Sequence, residues 1–296
     1  MKLIKQSFEI TNQEDFTLVG IKKHIEKCAR VCYKSEDKIT DDSYEKFVDN
    51  LIKRGHGRCL EFGTVYLKYF WSGRVCDSCN QTWPDKMDKY YINKYSVVRR
   101  HGNDIYITTN YRVIIENGWE DDLKYLCEPT EYHAKRYTVH FITNRAIMDE
   151  FRTHVSLSHL AESTRYCNYS KDKFDNQITF IQPSWIILDK EIAPINELCL
   201  LSGQYDRENP NLRYLASLVD ANYAYVSLLN KGWTPQQARD VLPLSVKSEL
   251  ISCGFEDAWA NFFYRRCAND AHPMARELAI PLREEFLNRK YILKLI

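Results

Sequence analysis

At 296 residues, with 41 basic against 40 acidic side chains and 44% hydrophobic residues, the chain carries a formal charge of +1. That length buries a substantial core in one large domain or two smaller ones. The balanced charge excludes a protein that binds nucleic acid by wholesale phosphate neutralisation, but a small phosphorylated ligand needs only a few well-placed arginines. The opening Met1-Lys2-Leu3-Ile4-Lys5-Gln6 lacks the apolar run of a secretory signal. No stretch approaches the ~18 uninterrupted apolar residues of a membrane span, so a soluble, cytoplasmic protein is expected. The ten cysteines are scattered. Only Cys76 and Cys79 form a C-x-x-C pair, and with no second pair at zinc spacing they read as reduced, packed thiols with no metal site.

In chain order, Asp41 to Ile52 reads as an amphipathic helix. Asp41 is its cap, Tyr44, Phe47, Val48, Leu51 and Ile52 form its apolar face, and Gly55 ends it in a left-handed turn. Thr64 to Phe70 alternates as a strand does. Residues 70 to 104 show no clear period and read as an excursion from the core. A strand follows at Ile105 to Asn110, then a short helix at Arg112 to Asn117, a strand at Tyr137 to Thr143 and a helix at Arg145 to Arg152. A long polar loop, Thr153 to Phe174, leads to a strand at Ile178 to Gln182. Helices are expected over Leu212 to Leu229, after Thr234-Pro235, over Ser248 to Tyr264 and over Ala271 to Asn288. The layout is α+β: an antiparallel sheet with helices packed to one side and a helical C-terminal third, in one domain over 1–296.

The run Glu162-Ser163-Thr164-Arg165-Tyr166-Cys167-Asn168-Tyr169-Ser170 is the chemically densest of the chain. Ser163 and Arg165, two apart, project to one side of an extended loop, and a hydroxyl beside a guanidinium suits a phosphate. The competing reading is a solvated loop tied by an ion pair between Glu162 and Arg165. Connections above ~12–15 residues are usually functional or disordered.

These residues carry a resemblance. Thr153 to Arg165 resembles the signature R-H-R-x-x-S-x-x-[EQ]-x-S-x-R of the flavin-dependent thymidylate synthases, with His154, Ser158, Ser163 and Arg165 in register. Thr153 and Val155 stand at the two arginine positions and Ala161 at the Glu/Gln position, while Arg152 lies one place early. Further segments are similar to family runs in the same order. They are Ala29-Arg30-Val31-Cys32, Gly55-His56-Gly57-Arg58-Cys59-Leu60-Glu61-Phe62, Ala238-Arg239-Asp240-Val241-Leu242-Pro243-Leu244, and Asn261 with Arg266.

The resemblance implies conversion of deoxyuridylate (dUMP) to thymidylate. Methylenetetrahydrofolate would be the carbon donor, with FAD reduced by NADPH, and no cysteine nucleophile would be needed. The absence of any Pro-Cys dipeptide favours the flavin route over the cysteine-dependent class of thymidylate synthase. By matching position, Glu150, Ser163, Arg165, Arg239 and Arg266 would bind dUMP, with Ser163 and Arg266 catalytic. Cys32, His56, Arg58, Glu61, His154 and Asn261 would line FAD. Glu150 reads equally as a surface helix position, and Arg239 and Arg266 as members of surface ion pairs. Two lost charge-assisted contacts, at about 1.5–3 kcal/mol each, make a weakened member that binds dUMP without flavin chemistry the alternative, unless Arg58 or Arg152 compensates. The family also implies a homotetramer with shared active sites.

Overall fold

A computed structural model describes residues 1–70, 87–165, 167–169, 176–186 and 197–292; the Cys76–Cys79 pair lies outside the described residues. In chain order the elements are β1 (Lys2–Ile4), β2 (Ser7–Ile10), α1 (Leu18–Arg30), α2 (Ser43–Lys53) and the one-turn α3 (Gly57–Leu60). Then come β3 (Thr64–Phe70), β4 (Val97–His101), β5 (Asp104–Asn110), α4 (Tyr111–Asn117), β6 (Arg136–Asn144), α5 (Arg145–Phe151), β7 (Ser158–Ala161) and β8 (Thr179–Ile181). The last are α6 (Glu197–Leu201), α7 (Pro210–Asn230), α8 (Pro235–Ala238), β9 (Lys247–Phe255), α9 (Glu256–Arg266) and α10 (Pro273–Asn288). Among the described residues no helix is long and apolar enough to cross a membrane.

The α+β layout is borne out. One antiparallel sheet has the order β2-β6-β9-β7, a second β3-β5-β4, and β1 pairs with β8 in parallel. Strand β9 sits at the centre and parts two apolar clusters. Its Ile251 and Cys253 join Ile21, Ile25, Val65, Ile107 and Leu160 on one side. Its Leu250 joins Phe141, Phe151, Trp259, Phe262 and Phe286 on the other, beneath α5, α9 and α10. Helix α1, which no sequence expectation covered, closes the first side.

Four sequence expectations are corrected. The helix expected over 248–264 is two elements: β9 to Phe255, then α9. Strand β9 is covered on both faces and mixes Lys247, Ser248, Glu249 and Ser252 with Leu250, Ile251 and Cys253, so it lacks the alternation that marks a strand and merges with the helix that follows it. The polar loop from 153 contains strand β7, which pairs with β9 as Ser158↔Cys253 through Ala161↔Leu250. The excursion is narrower than 70–104, because β4 and β5 form a hairpin through Gly102, whose φ of 60° suits glycine. At α2 the cap residue is Asp42 instead of Asp41, and Gly55 does adopt a left-handed φ of 68°.

A buried ionic network crosses the sheet. Glu249 on β9 accepts from Lys34 Nζ at 2.7 Å and His140 Nε2 at 2.8 Å, and also pairs with Lys247. Lys247 Nζ reaches Glu162 Oε2 at 2.9 Å, and Tyr169 donates to Glu162 Oε1 at 2.9 Å. Burial pushes the Glu249 carboxyl up, but the His140 hydrogen bond and the Lys247 and Lys34 charges outweigh it and hold it well below the usual carboxylate range. Removing one partner of such a network strands a buried charge. Lys247→Met is therefore expected to lower unfolding free energy by about 3–5 kcal/mol in urea denaturation, and a loss under about 1 kcal/mol would mean that these carboxylates are solvated.

Candidate active site

The site is built where β6 turns into α5. Asn144 ends the strand and its side chain caps the helix, accepting from the Ile147 N–H at 2.9 Å. Ile147, Met148 and Phe151 face the core, so Arg145, Asp149, Glu150 and Arg152 fall on the outer side. The chain then turns into β7, and its register against β9 fixes where the polar run begins. At Glu162 the backbone N–H donates to Glu249 O at 2.8 Å, and both carboxylate oxygens are taken by Lys247 and Tyr169. The expected Glu162–Arg165 ion pair is therefore not the tie that holds this loop. Glu162 anchors it inward, and Ser163, Thr164 and Arg165 project from a fixed point.

They project into a cavity of about 290 Å³ that gathers Arg58, Arg145, Arg152, Arg165 and Arg239 with Ser163 and Thr164. Arg165 Nε donates to Gln236 Oε1 at 3.2 Å, and Arg239 Nη1 donates to Thr164 Oγ1 at 3.4 Å. Arg152 pairs with exposed Asp149 at 3.1 Å. Arg145 Nη1 is buried without a hydrogen-bond partner among the described residues. A buried guanidinium N–H left unpaired is costly, while the side chain of Arg145 also lines the cavity. Five guanidiniums and two hydroxyls line it, a donor set of the kind that suits an anion.

A second cavity, of about 430 Å³, lies at the end of α9 and is lined by Thr153, His154, Val155, Ser156, Asn261, Arg265 and Arg266. Arg266 is its hub. Its Nη1 donates to Glu150 Oε2 at 2.9 Å, Nη2 to Glu150 O at 2.7 Å and Thr153 Oγ1 at 3.0 Å, and Nε to His154 Nε2 at 2.8 Å. An accepting Nε2 requires a neutral ring. Burial, with the Arg266, His159 and Arg265 groups nearby, holds the His154 pKa down to about 4. His159 locks the turn from behind: its Nε2 meets His154 O at 3.0 Å and its Nδ1 meets Ser252 Oγ at 2.9 Å. Val155, 95% exposed, projects from the turn.

The remaining expected residues fall elsewhere. The Glu61 carboxylate is engaged inside the fold, by Arg112 Nη1 at 2.6 Å and Ser158 Oγ at 2.5 Å. Two of the recognised motifs thus meet directly. The Cys32 carbonyl accepts the Ser163 N–H at 3.0 Å. Burial, with Cys59 adding to it, pushes the Cys32 thiol up to about 12, which keeps it protonated at neutral pH. His56 lines a separate cavity with Arg30, Lys34, Phe47 and Arg54. One chain therefore brings Arg58, Ser163, Arg165 and Arg239 together, and separately Glu150, His154, Asn261 and Arg266. Arg145 was not anticipated; the signal available for it was a charge at the first position of an Asn-capped helix that follows a buried strand.

Residues 129–289 match the family described as thymidylate synthase complementing protein. Among solved structures, the chain is similar to a UMP/dUMP methylase PolB from Streptomyces cacaoi bound with 5-Br dUMP. The identity is 16% and the TM-score 0.43, over 97% of this chain and 93% of that one. No curated protein matches.

Burial holds His24 at about 3 and both His154 and His159 at about 4. Unfolded imidazoles titrate near ~6.5, so below that pH the unfolded chain binds protons that the folded chain refuses. Stability is full above about pH 6.5 and falls as pH drops toward about 4. Thermal melts between these limits should show Tm declining with acidification, with a shallower slope for His154→Gln. A flat Tm across the window would contradict the assignment of neutral, buried rings.

Proposed function

The chain belongs to the thymidylate synthase complementing protein family, and on that premise we propose that it methylates dUMP to thymidylate, with methylenetetrahydrofolate as carbon donor and NADPH-reduced FAD. The observation that carries this reading is the arginine cavity, where Arg145 lines the wall with Ser163, Arg165 and Arg239. A phosphate dianion there takes hydrogen bonds from the Ser163 hydroxyl and the surrounding guanidiniums. Arg58 and Arg152 line the same cavity and replace the charge missing at Thr153.

Arg266 is the catalytic cation. Held by Glu150, Thr153 and His154, its guanidinium is oriented before substrate arrives and faces the pyrimidine, where negative charge develops during methylation. Glu150 addresses the uracil edge, and neutral His154 keeps Arg266 aimed by accepting its Nε–H. When bound, FAD supplies the hydride and relays the carbon unit. The chain's part is to hold it: the Asn261 amide, the Ser156 hydroxyl and the Arg265 cation form a donor set that fits a planar, phosphate-bearing cofactor. Cys32, His56, Arg58 and Glu61 belong to the flavin side by family position. The chain works as a homotetramer with shared active sites, in the cytoplasm.

The second reading is a member that binds dUMP without productive flavin chemistry. It draws on Val155, fully exposed where the family has an arginine, and on Thr153, whose hydroxyl is already engaged by Arg266.

The test incubates purified protein with dUMP, methylenetetrahydrofolate, NADPH and FAD and follows thymidylate by mass spectrometry. Thymidylate should form. Arg266→Ala should lower kcat by about 100-fold or more. Arg145→Ala and Arg239→Ala should weaken dUMP binding by roughly 10–100-fold. Tight dUMP binding with no product selects the second reading, and no dUMP binding overturns both.

A further inference from the structure

Position 155 carries no cation, yet the cavity beside it has one from another part of the chain. A third cavity, of about 460 Å³, shares Val155 and Ser156 with the Arg266 cavity and continues along the end of β9. Lys94 and Tyr95 form part of its wall, opposite Ser158 and Phe255. These two residues lie outside the 129–289 match to the family, in the segment for which the sequence suggested no role.

The geometry of Lys94 and Tyr95 is prepared. They occupy the middle of a turn in which the Ser96 N–H donates to Asn93 O at 3.0 Å. Asn93 Oδ1 accepts from the Tyr95 N–H at 2.9 Å and from Ser96 Oγ at 3.2 Å. Ser96 Oγ also meets Thr109 Oγ1 on β5 at 2.9 Å, which pins the turn to the second sheet. Among the described residues the Lys94 ammonium makes no ion pair; it lies 4.9 Å from the Tyr95 ring centroid. The other cation of the wall, Arg136, is committed to Thr64 Oγ1 at 3.2 Å and Glu61 O at 2.9 Å. Asp257 is the one carboxylate on the wall, and its Oδ1 accepts the Ala258 N–H at 2.8 Å. With two cations against one carboxylate, the wall favours an anion, and the ammonium still open to one is Lys94.

We propose that Lys94 and Tyr95 are cofactor-binding residues: Lys94 takes a phosphate of a planar dinucleotide bound beside the Val155 turn, and the Tyr95 ring covers an aromatic part of the same ligand. The inference rests on the reading of the adjoining site as one for a flavin and dUMP. It assigns to the 94–95 turn the charge that position 155 lacks.

The probe is FAD, titrated against the full chain by quenching of flavin fluorescence, with dUMP affinity measured in parallel. Lys94→Gln should raise the FAD Kd by about tenfold, the scale of one charge-assisted contact, and Lys94→Arg should restore it. Both should leave dUMP affinity unchanged. Val155→Arg placed in the Lys94→Gln background should recover most of the loss, because position 155 is exposed and opens onto the same cavity. Tyr95→Leu should weaken FAD as well, and Tyr95→Phe should not. A Lys94→Gln protein that binds FAD as the unaltered chain does overturns the proposal and leaves the functional reading standing. An unaltered chain that binds dUMP but takes up no FAD overturns the proposal together with the flavin half of that reading.

Discussion

The placement of the whole site depends on a carboxylate buried in the middle of a sheet. Glu249 sits on the central strand, 5% exposed, and a lone charge there would cost several kcal/mol in lost hydration. It is tolerated because Lys34, Lys247 and His140 converge on it. Each partner brings a different stretch of chain with it. Lys34 carries the turn after α1, where it holds a left-handed φ of 48° that a non-glycine residue adopts only against a cost. Lys247 carries Glu162, and Glu162 carries the start of the Ser163–Arg165 run. The network therefore works as a register device: it fixes which backbone atoms emerge at the rim and leaves their side chains facing the cavity.

At that rim positive charge is distributed in an instructive way. Two arginine positions of the family pattern are Thr153 and Val155, yet the region is not short of guanidiniums. Five line one cavity, and Arg266 reaches the Thr153 hydroxyl from α9. These guanidiniums sit on other elements. Thr153 then has a coherent role as an acceptor for Arg266 while it donates to Glu150 O at 2.7 Å. His154 completes the arrangement by remaining neutral. A protonated ring would face Arg266 as a like charge, and burial prevents that state at ordinary pH.

Much of this was legible along the chain. Strands Thr64–Phe70 and Ile105–Asn110 and the helix after Asn144 follow from period and caps. The Ser163–Arg165 pair stands out by its chemistry. What misled the reading is equally physical. Strand β9 is covered on both faces and buries Ser248, Glu249 and Ser252 alongside Leu250, Ile251 and Cys253, so it shows no strand alternation and its period is not that of a strand. Strand β7 is short, and its Ser158 and His159 look like loop residues until Glu61 and Ser252 satisfy them. Glu162 has a nearby arginine in sequence at Arg165, but it pairs with Lys247, 85 residues away.

By itself the sequence determined the local elements whose period is unambiguous, the family through ordered motifs, and the residue types able to meet a phosphate and a ring. Only the tertiary structure decided which of those residues share a cavity. Arg145, Arg165 and Arg239 come from a helix start, a loop and a one-turn segment and converge because β6, β7 and β9 are neighbours in one sheet. The Glu61 carboxylate meets Arg112 and Ser158, 51 and 97 residues away. Whether a charge is open to a ligand depends on partners distant in sequence and on how much water the fold leaves around it, and neither is encoded in a residue's near neighbours.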